Sequence, residues 1–221
     1  MSLLRRCLAG ALAIFLATTI AGCAPALSDS GEPLTIEQSE TLAQVRFQQA
    51  AAGVAVLEIA IGADDDLDHL VADVTVDFEN LLAWGTVERG PEGISVTEDI
   101  AFSPELYVVD AGSGWQPGAS PSPLLSVVFA LADDRPENAQ LLRQSDARYL
   151  GTADDGGDTL HVFRMPSAGD APARTRMWLD EDGGLRRMDA GDDTVLVVRP
   201  TGAEPEPRDA ELDAIFEVGD E

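Results

Sequence analysis

The chain contains no lysine. All 14 basic residues are arginine, set against 40 Asp and Glu, and the formal net charge is −26. Without lysine there is no Walker A loop, no Schiff-base amine and no kinase-type ion-pair lysine. Acidity on this scale repels phosphate, which speaks against nucleic acid as a partner and against a polybasic membrane patch. The two histidines, His69 and His161, stand in no metal-ligand spacing. G-x-S-x-G does not occur, and Gly112-Ser113-Gly114 opens like G-x-G-x-x-G but meets Pro117 at the third glycine. Asp64-x-Asp66-x-Asp68 alternates carboxylates but has His69 and Thr75 where a calcium loop needs Gly and Glu. The expectation is a protein that is not an enzyme, with no catalytic residue, no metal and no cofactor.

Cysteine is as scarce as histidine, but its placement is informative. Arg5 and Arg6, followed by the apolar stretch Leu8 to Thr19, form an export signal too short to span a bilayer. It ends in Ile20-Ala21-Gly22-Cys23, the pattern of a bacterial lipobox, in which the thiol of Cys23 accepts a diacylglyceryl group. An ordinary secretory signal and an uncleaved anchor are the competing readings. With Cys7 lost in the signal and Cys23 acylated, the mature chain has no disulfide, and its stability must come from a conventional core. Two or more buried acyl chains make a durable anchor. The expected location is therefore the extracytoplasmic face of the cell membrane, with the membrane as partner through the N-terminal lipid.

A hydrophobic fraction of 45% fits one globular domain rather than a disordered chain. We divide the sequence into a signal peptide (1–22), the acylated cysteine with a flexible tether (23–33), one domain (34–200) and an acidic tail (201–221). Thr35 and Gln38 form a capping box that opens a helix carrying Leu42, Val45 and Phe47 and running to about Ala51. After Gly53 the period changes to two. Leu57, Ile59 and Ile61 share a face, as do Val74, Val76 and Phe78, while Asp73, Thr75 and Asp77 point the other way. Leu82, Trp84 and Thr86 continue the pattern, then Ile94, Val96 and Ile100, then Leu106 to Val109. A turn-rich loop, 110–122, carries Trp115. Ser122 and Pro123 cap an apolar helix, Leu124 to Ala132, and a second helix runs from Pro136 through Gln144. Strands resume at Arg148–Ala153, Thr159–Met165, Thr175–Leu179, Leu185–Ala190 and Thr194–Arg199, with hairpin turns at Asp155-Gly156-Gly157 and Asp182-Gly183-Gly184. The tail holds one apolar patch, Leu212, Ile215 and Phe216, able to dock or to fray. This is an α+β protein built on a single strongly curved antiparallel β-sheet with one wet face.

The lipobox, the early helix, the element LYVVDAGSGWQPG (106–118), the helix pair ending ENAQLLRQSDARYLG (137–151) and the paired strands TRMWLDEDGGLRRMDA (175–190) resemble the LolA-like superfamily, particularly LprG/LppX-type lipoproteins of actinobacteria. The resemblance implies a half-open barrel with helices packed across its concave side, and a lipid or lipid-linked glycan as cargo. The candidate cleft lining is Leu57, Ile59, Val74, Val76, Trp84, Val96, Leu125, Val128 and Phe129, with Trp115 on an entrance loop. A filled core, serving as a scaffold for an envelope protein partner, is the other reading, and residue pattern alone leaves both open.

Overall fold

The computed structural model describes residues 27–28, 30–62, 69–90, 95–120, 122–167, 175–190 and 196–217. Cys23, the signal peptide, the Asp64–Asp68 run and Ile94 lie outside the described residues.

Local chemistry sets the first helix, α1 (Ile36–Ala52). The Gln38 N–H donates to Thr35 Oγ1 at 3.2 Å and the Thr35 N–H donates to Gln38 Oε1 at 3.0 Å, so the capping box closes as expected. Gly53 ends the helix at φ 72°. Leu42, Ala43 and Val45 are buried, whereas Phe47 remains 37% exposed.

Twelve strands make one antiparallel sheet. They are β1 (Glu32–Pro33), β2 (Val54–Ile61), β3 (Leu70–Asp77), β4 (Leu82–Arg89), β5 (Val96–Phe102), β6 (Tyr107–Asp110), β7 (Gln116–Pro117), β8 (Arg148–Asp155), β9 (Asp158–Arg164), β10 (Arg176–Leu179), β11 (Leu185–Ala190) and β12 (Leu196–Pro200). Their order is β1-β8-β9-β10-β11-β12-β2-β3-β4-β5-β6-β7, so the second half of the chain lies beside the first and meets it where β12 pairs β2. The two-residue strands β1 and β7 are the edges, and the sheet stays open. Gly156 and Gly157, both at positive φ, turn the β8–β9 hairpin. In the β10–β11 turn, Asp180 Oδ1 accepts the N–H groups of Asp182 and Gly184. Between β7 and β8 lie a 3-10 helix, Pro123–Leu131, and the short α2 (Ala139–Gln144), capped by Asn138. The last helix is α3 (Ala210–Glu217).

Alternation sends Leu57, Ile59, Ile61, Leu70, Ala72, Val74 and Val76 to the concave side, where they join Leu42 and Val45 of α1 and the 3-10 helix in the main core. The convex side differs from the wet face expected. Leu82, Trp84, Ala101 and Val108 form a second cluster under Leu212 of α3, with Ile215 and Phe216 packed against it. Leu150, Leu160, Val162 and Trp178 form a third, covered by Leu27. Both ends of the described chain thus lie on the sheet. The described residues 27–28 and 30–33, expected to form part of a flexible tether, are held by the Ser28 N–H on the Leu150 carbonyl at 2.9 Å and by β1 on β8.

Candidate functional site

The concave face is roofed by the insertion. The helix expected over Leu124 to Ala132 is a 3-10 helix of nine residues, Pro123–Leu131. Ser126 Oγ donates back to the Pro123 carbonyl at 2.8 Å. At three residues per turn, positions three apart fall in line. Leu125, Val128 and Leu131 therefore make one straight apolar ridge, each at most 3% exposed, while Ser126 and Ala130 face out. Phe129 meets Phe102 of β5 edge-on at 5.7 Å between ring centroids.

One side chain fastens the end of this roof. Arg46 of α1 donates from Nε to the Ala130 carbonyl at 2.8 Å and from Nη2 to the Ala132 carbonyl at 3.4 Å. Its Nη1 lies 3.3 Å from Asp133 and 3.7 Å from Glu137. The Arg135 N–H and the Arg46 guanidinium hold the Asp133 carboxyl below its usual range, which keeps the latch charged.

Seven of the nine residues expected to line a cleft come together here: Leu57, Ile59, Val74, Val76, Leu125, Val128 and Phe129 share one buried cluster. Trp84 does not. Register pairs Thr75 with Trp84 and Val74 with Gly85, so the tryptophan lies on the convex side with Thr75. Val96 is 61% exposed; it begins β5, paired to the last residue of β4, at a far end of its strand pair from the buried Ile100 and Phe102. Trp115 packs half-buried against the Trp84 cluster, on the other side of the sheet from the expected entrance. Sequence reasoning passed over Phe102, Tyr107, Phe163, Met177 and Met188, which complete the concave face. Phe102 follows from carrying the Ile100 alternation onward, whereas Tyr107 is placed by its pairing with Phe102 across β5 and β6. Tyr107 is the chemically distinctive member: its hydroxyl is buried without a hydrogen-bond partner, and burial pushes its pKa up to about 12. His161 is committed to Tyr149, whose hydroxyl lies 3.0 Å from His161 Nδ1.

Two clefts open elsewhere. One of about 480 Å³ lies between α3 and the β3–β4 and β5–β6 turns, and one of about 410 Å³ lies over Leu160 and Trp178 beside Arg186, Arg187 and Arg199. Arg187 covers Trp178 at 4.9 Å and grips Asp189 at 2.6 and 2.8 Å. Among the described residues no group of three or more His, Cys, Asp or Glu is arranged to hold a metal, and no helix is long and apolar enough to cross a membrane.

No family model matches the sequence, and neither does any curated protein. Among solved structures the chain is similar to the lipoprotein LppX of Mycobacterium tuberculosis, at 15% identity and a TM-score of 0.48, over 76% of this chain and 98% of that one. It is similar to LprF of Mycobacterium bovis at 12% identity and a TM-score of 0.47, over 80% and 99%. A LolA superfamily protein of Nitrosomonas europaea matches at 11% identity and a TM-score of 0.30, over 83% and 97%. The fold assignment stands on the chain's own geometry. One open antiparallel sheet of 12 strands wraps around helices on its concave side, the arrangement expected of a chain that resembles the LolA-like, LppX/LprG-type proteins.

Proposed function

We propose that this chain is a non-enzymatic lipoprotein of the cell envelope, anchored through Cys23, that takes the acyl chains of a lipid or lipid-linked glycan against its concave face. The observation that carries this reading is the roof. An aliphatic sheet face is covered by a nine-residue 3-10 helix, where such runs seldom exceed three or four residues because their hydrogen bonds are poorly aligned. The segment is fastened at one end by Arg46. Lifting it exposes Leu57, Ile59, Val74 and Val76, and acyl chains then replace Leu125, Val128 and Phe129. Affinity comes from apolar area removed from water, at about 25 cal/mol per Å².

A second reading, a filled scaffold domain for an envelope partner, is favoured by the same cluster, which in this structure is occupied by its own side chains. Native mass spectrometry separates the two. The chain from Ala24 to Glu221, purified from a lipid-containing host, is expected to carry lipid adducts, and more of them when Arg46→Ala loosens the roof. A spectrum of bare protein from both forms would leave the scaffold reading alone.

A further inference from the structure

We propose that the cleft beside α3 is a docking site for a cationic, leucine-bearing peptide segment of a partner protein. The inference is independent of the lipid reading, since the cleft lies on the convex side.

The cleft, about 480 Å³, is walled on its apolar side by Leu81 and Leu82 of the β3–β4 turn, Leu106 of the β5–β6 turn, and Ile215 and Phe216 of α3, and on its polar side by Asn80, Ser103, Glu105, Arg208 and Asp213. That volume lies within the range of small-ligand sites, ~300–1,000 Å³, and accepts a few aliphatic side chains. The wall formed by α3 is fixed. Leu212 is 2% exposed, the Trp84 indole N–H donates to the Glu206 carbonyl at 3.2 Å, and the Glu206 N–H donates to Thr75 Oγ1 at 3.1 Å.

Leu81 is the unexpected residue. Its φ is +49°, the one positive φ at a non-glycine position among the described residues. This left-handed backbone suits Gly or Asn and is costly for a leucine. The turn enforces it through Asp77, whose carboxylate accepts the N–H groups of Glu79 and Asn80, both at 3.1 Å, and the Asn80 side-chain amide at 2.7 Å. The result is a leucine 43% exposed at the mouth of a cleft lined by both apolar and charged side chains. The left-handed Leu81 closes the β3–β4 turn between the paired Asp77 and Leu82 and leaves its side chain at the cleft mouth, within reach of a partner.

Charge selects the occupant. Glu79 in the turn, Glu105 in the lining, and Asp209 and Glu211 at the start of α3 are exposed, and the one base of the lining, Arg208, pairs with Asp213. An anionic lipid surface is repelled by this rim, as by a chain of net charge −26, whereas arginine or lysine side chains flanking an apolar anchor are attracted.

The test is fluorescence anisotropy on the chain from Ala24 to Glu221, which retains every described residue. The probe is a labelled amphipathic peptide of leucines at helical spacing separated by arginines. It is expected to bind, more weakly as NaCl rises. Its serine-for-leucine and glutamate-for-arginine versions, and phosphatidylglycerol vesicles, are expected not to bind. Leu81→Gly should weaken binding roughly tenfold, the loss of one partly buried leucine contact, with Tm unchanged or higher because the turn is relieved. Glu105→Arg should weaken it too, whereas Asp154→Asn, on strand β8, should not. Failure of the probe to bind, equal binding of all three peptides, undiminished affinity in Leu81→Gly, or a Tm that falls in that variant would each overturn the proposal.

Discussion

Arg46 shows how much one side chain settles in this molecule. It holds two carbonyls, one at the end of the roof and one just beyond it, and two carboxylates of the segment that follows, and the Asp133 N–H returns a bond to the Arg46 carbonyl at 3.1 Å. Arg46→Ala is expected to lower stability by about 1–3 kcal/mol, the range for charge-assisted bonds. Hydrogen exchange should report it, with amides of 123–133 exchanging faster and those of β2 and β3 unchanged. Tyr107 is the opposite case, a hydroxyl with no partner inside an apolar cluster. Tyr107→Phe removes a desolvated group and should raise stability by roughly 1 kcal/mol. The sign with pH follows. An unfolded tyrosine loses its proton near 10.0 and folded Tyr107 near about 12, so the folded state holds the proton more tightly and stability falls as pH rises across that window. Denaturation at pH 9 to 12 should show the corresponding part of that fall absent from Tyr107→Phe.

Elements were legible where local chemistry fixes them. The capping box at Thr35, the two glycine turns and the alternating runs of β2 and β3 all fall where the chain folds them, because each depends on neighbours in sequence. Phase across the sheet is a different matter. Trp84 lies opposite Thr75 because of the β3–β4 register, which the turn at Leu81 sets and which the alternation of β4 alone cannot supply. The roof was expected as a helix over Leu124 to Ala132 from its capping pair and apolar run, signals that do not distinguish α from 3-10 winding, and it forms as a 3-10 helix over Pro123–Leu131. Leu125→Ala distinguishes a filled face from a hollow one. In the packed cluster seen here it should cost about 2–5 kcal/mol by chemical denaturation, and a loss near zero would mean the site relaxes onto empty space. Gly85 belongs to the same scale. A Cβ there would stand 2.1 Å from the Asp73 carbonyl, so Gly85→Ala should force β4 away from β3 and lower stability by about 1–3 kcal/mol.

Over the whole molecule, charge is the largest departure from the ordinary, and it acts on stability as well as on partners. Asp73 faces Glu58 across the β2–β3 pairing, and burial together with that neighbour raises its pKa. A raised carboxyl binds its proton more tightly when folded, so ionising it weakens the fold, and stability returns as pH falls through the carboxylate range. Asp73→Asn is therefore expected to raise Tm at pH 7, and the gap between variant and parent should close as the pH is lowered. The convex side was the least legible part of the chain. Leu212, Ile215 and Phe216 reach it from more than a hundred residues away in sequence, and only the folded sheet shows the patch they cover. The two ends of the sheet carry a further consequence. β1 is Glu32-Pro33 and β7 is Gln116-Pro117, so each rim finishes in a residue that has no amide hydrogen to offer. An open sheet is exposed to neighbours that could extend it strand by strand into a polymer. Two prolines, one per rim, break the row of donors from which such growth would start.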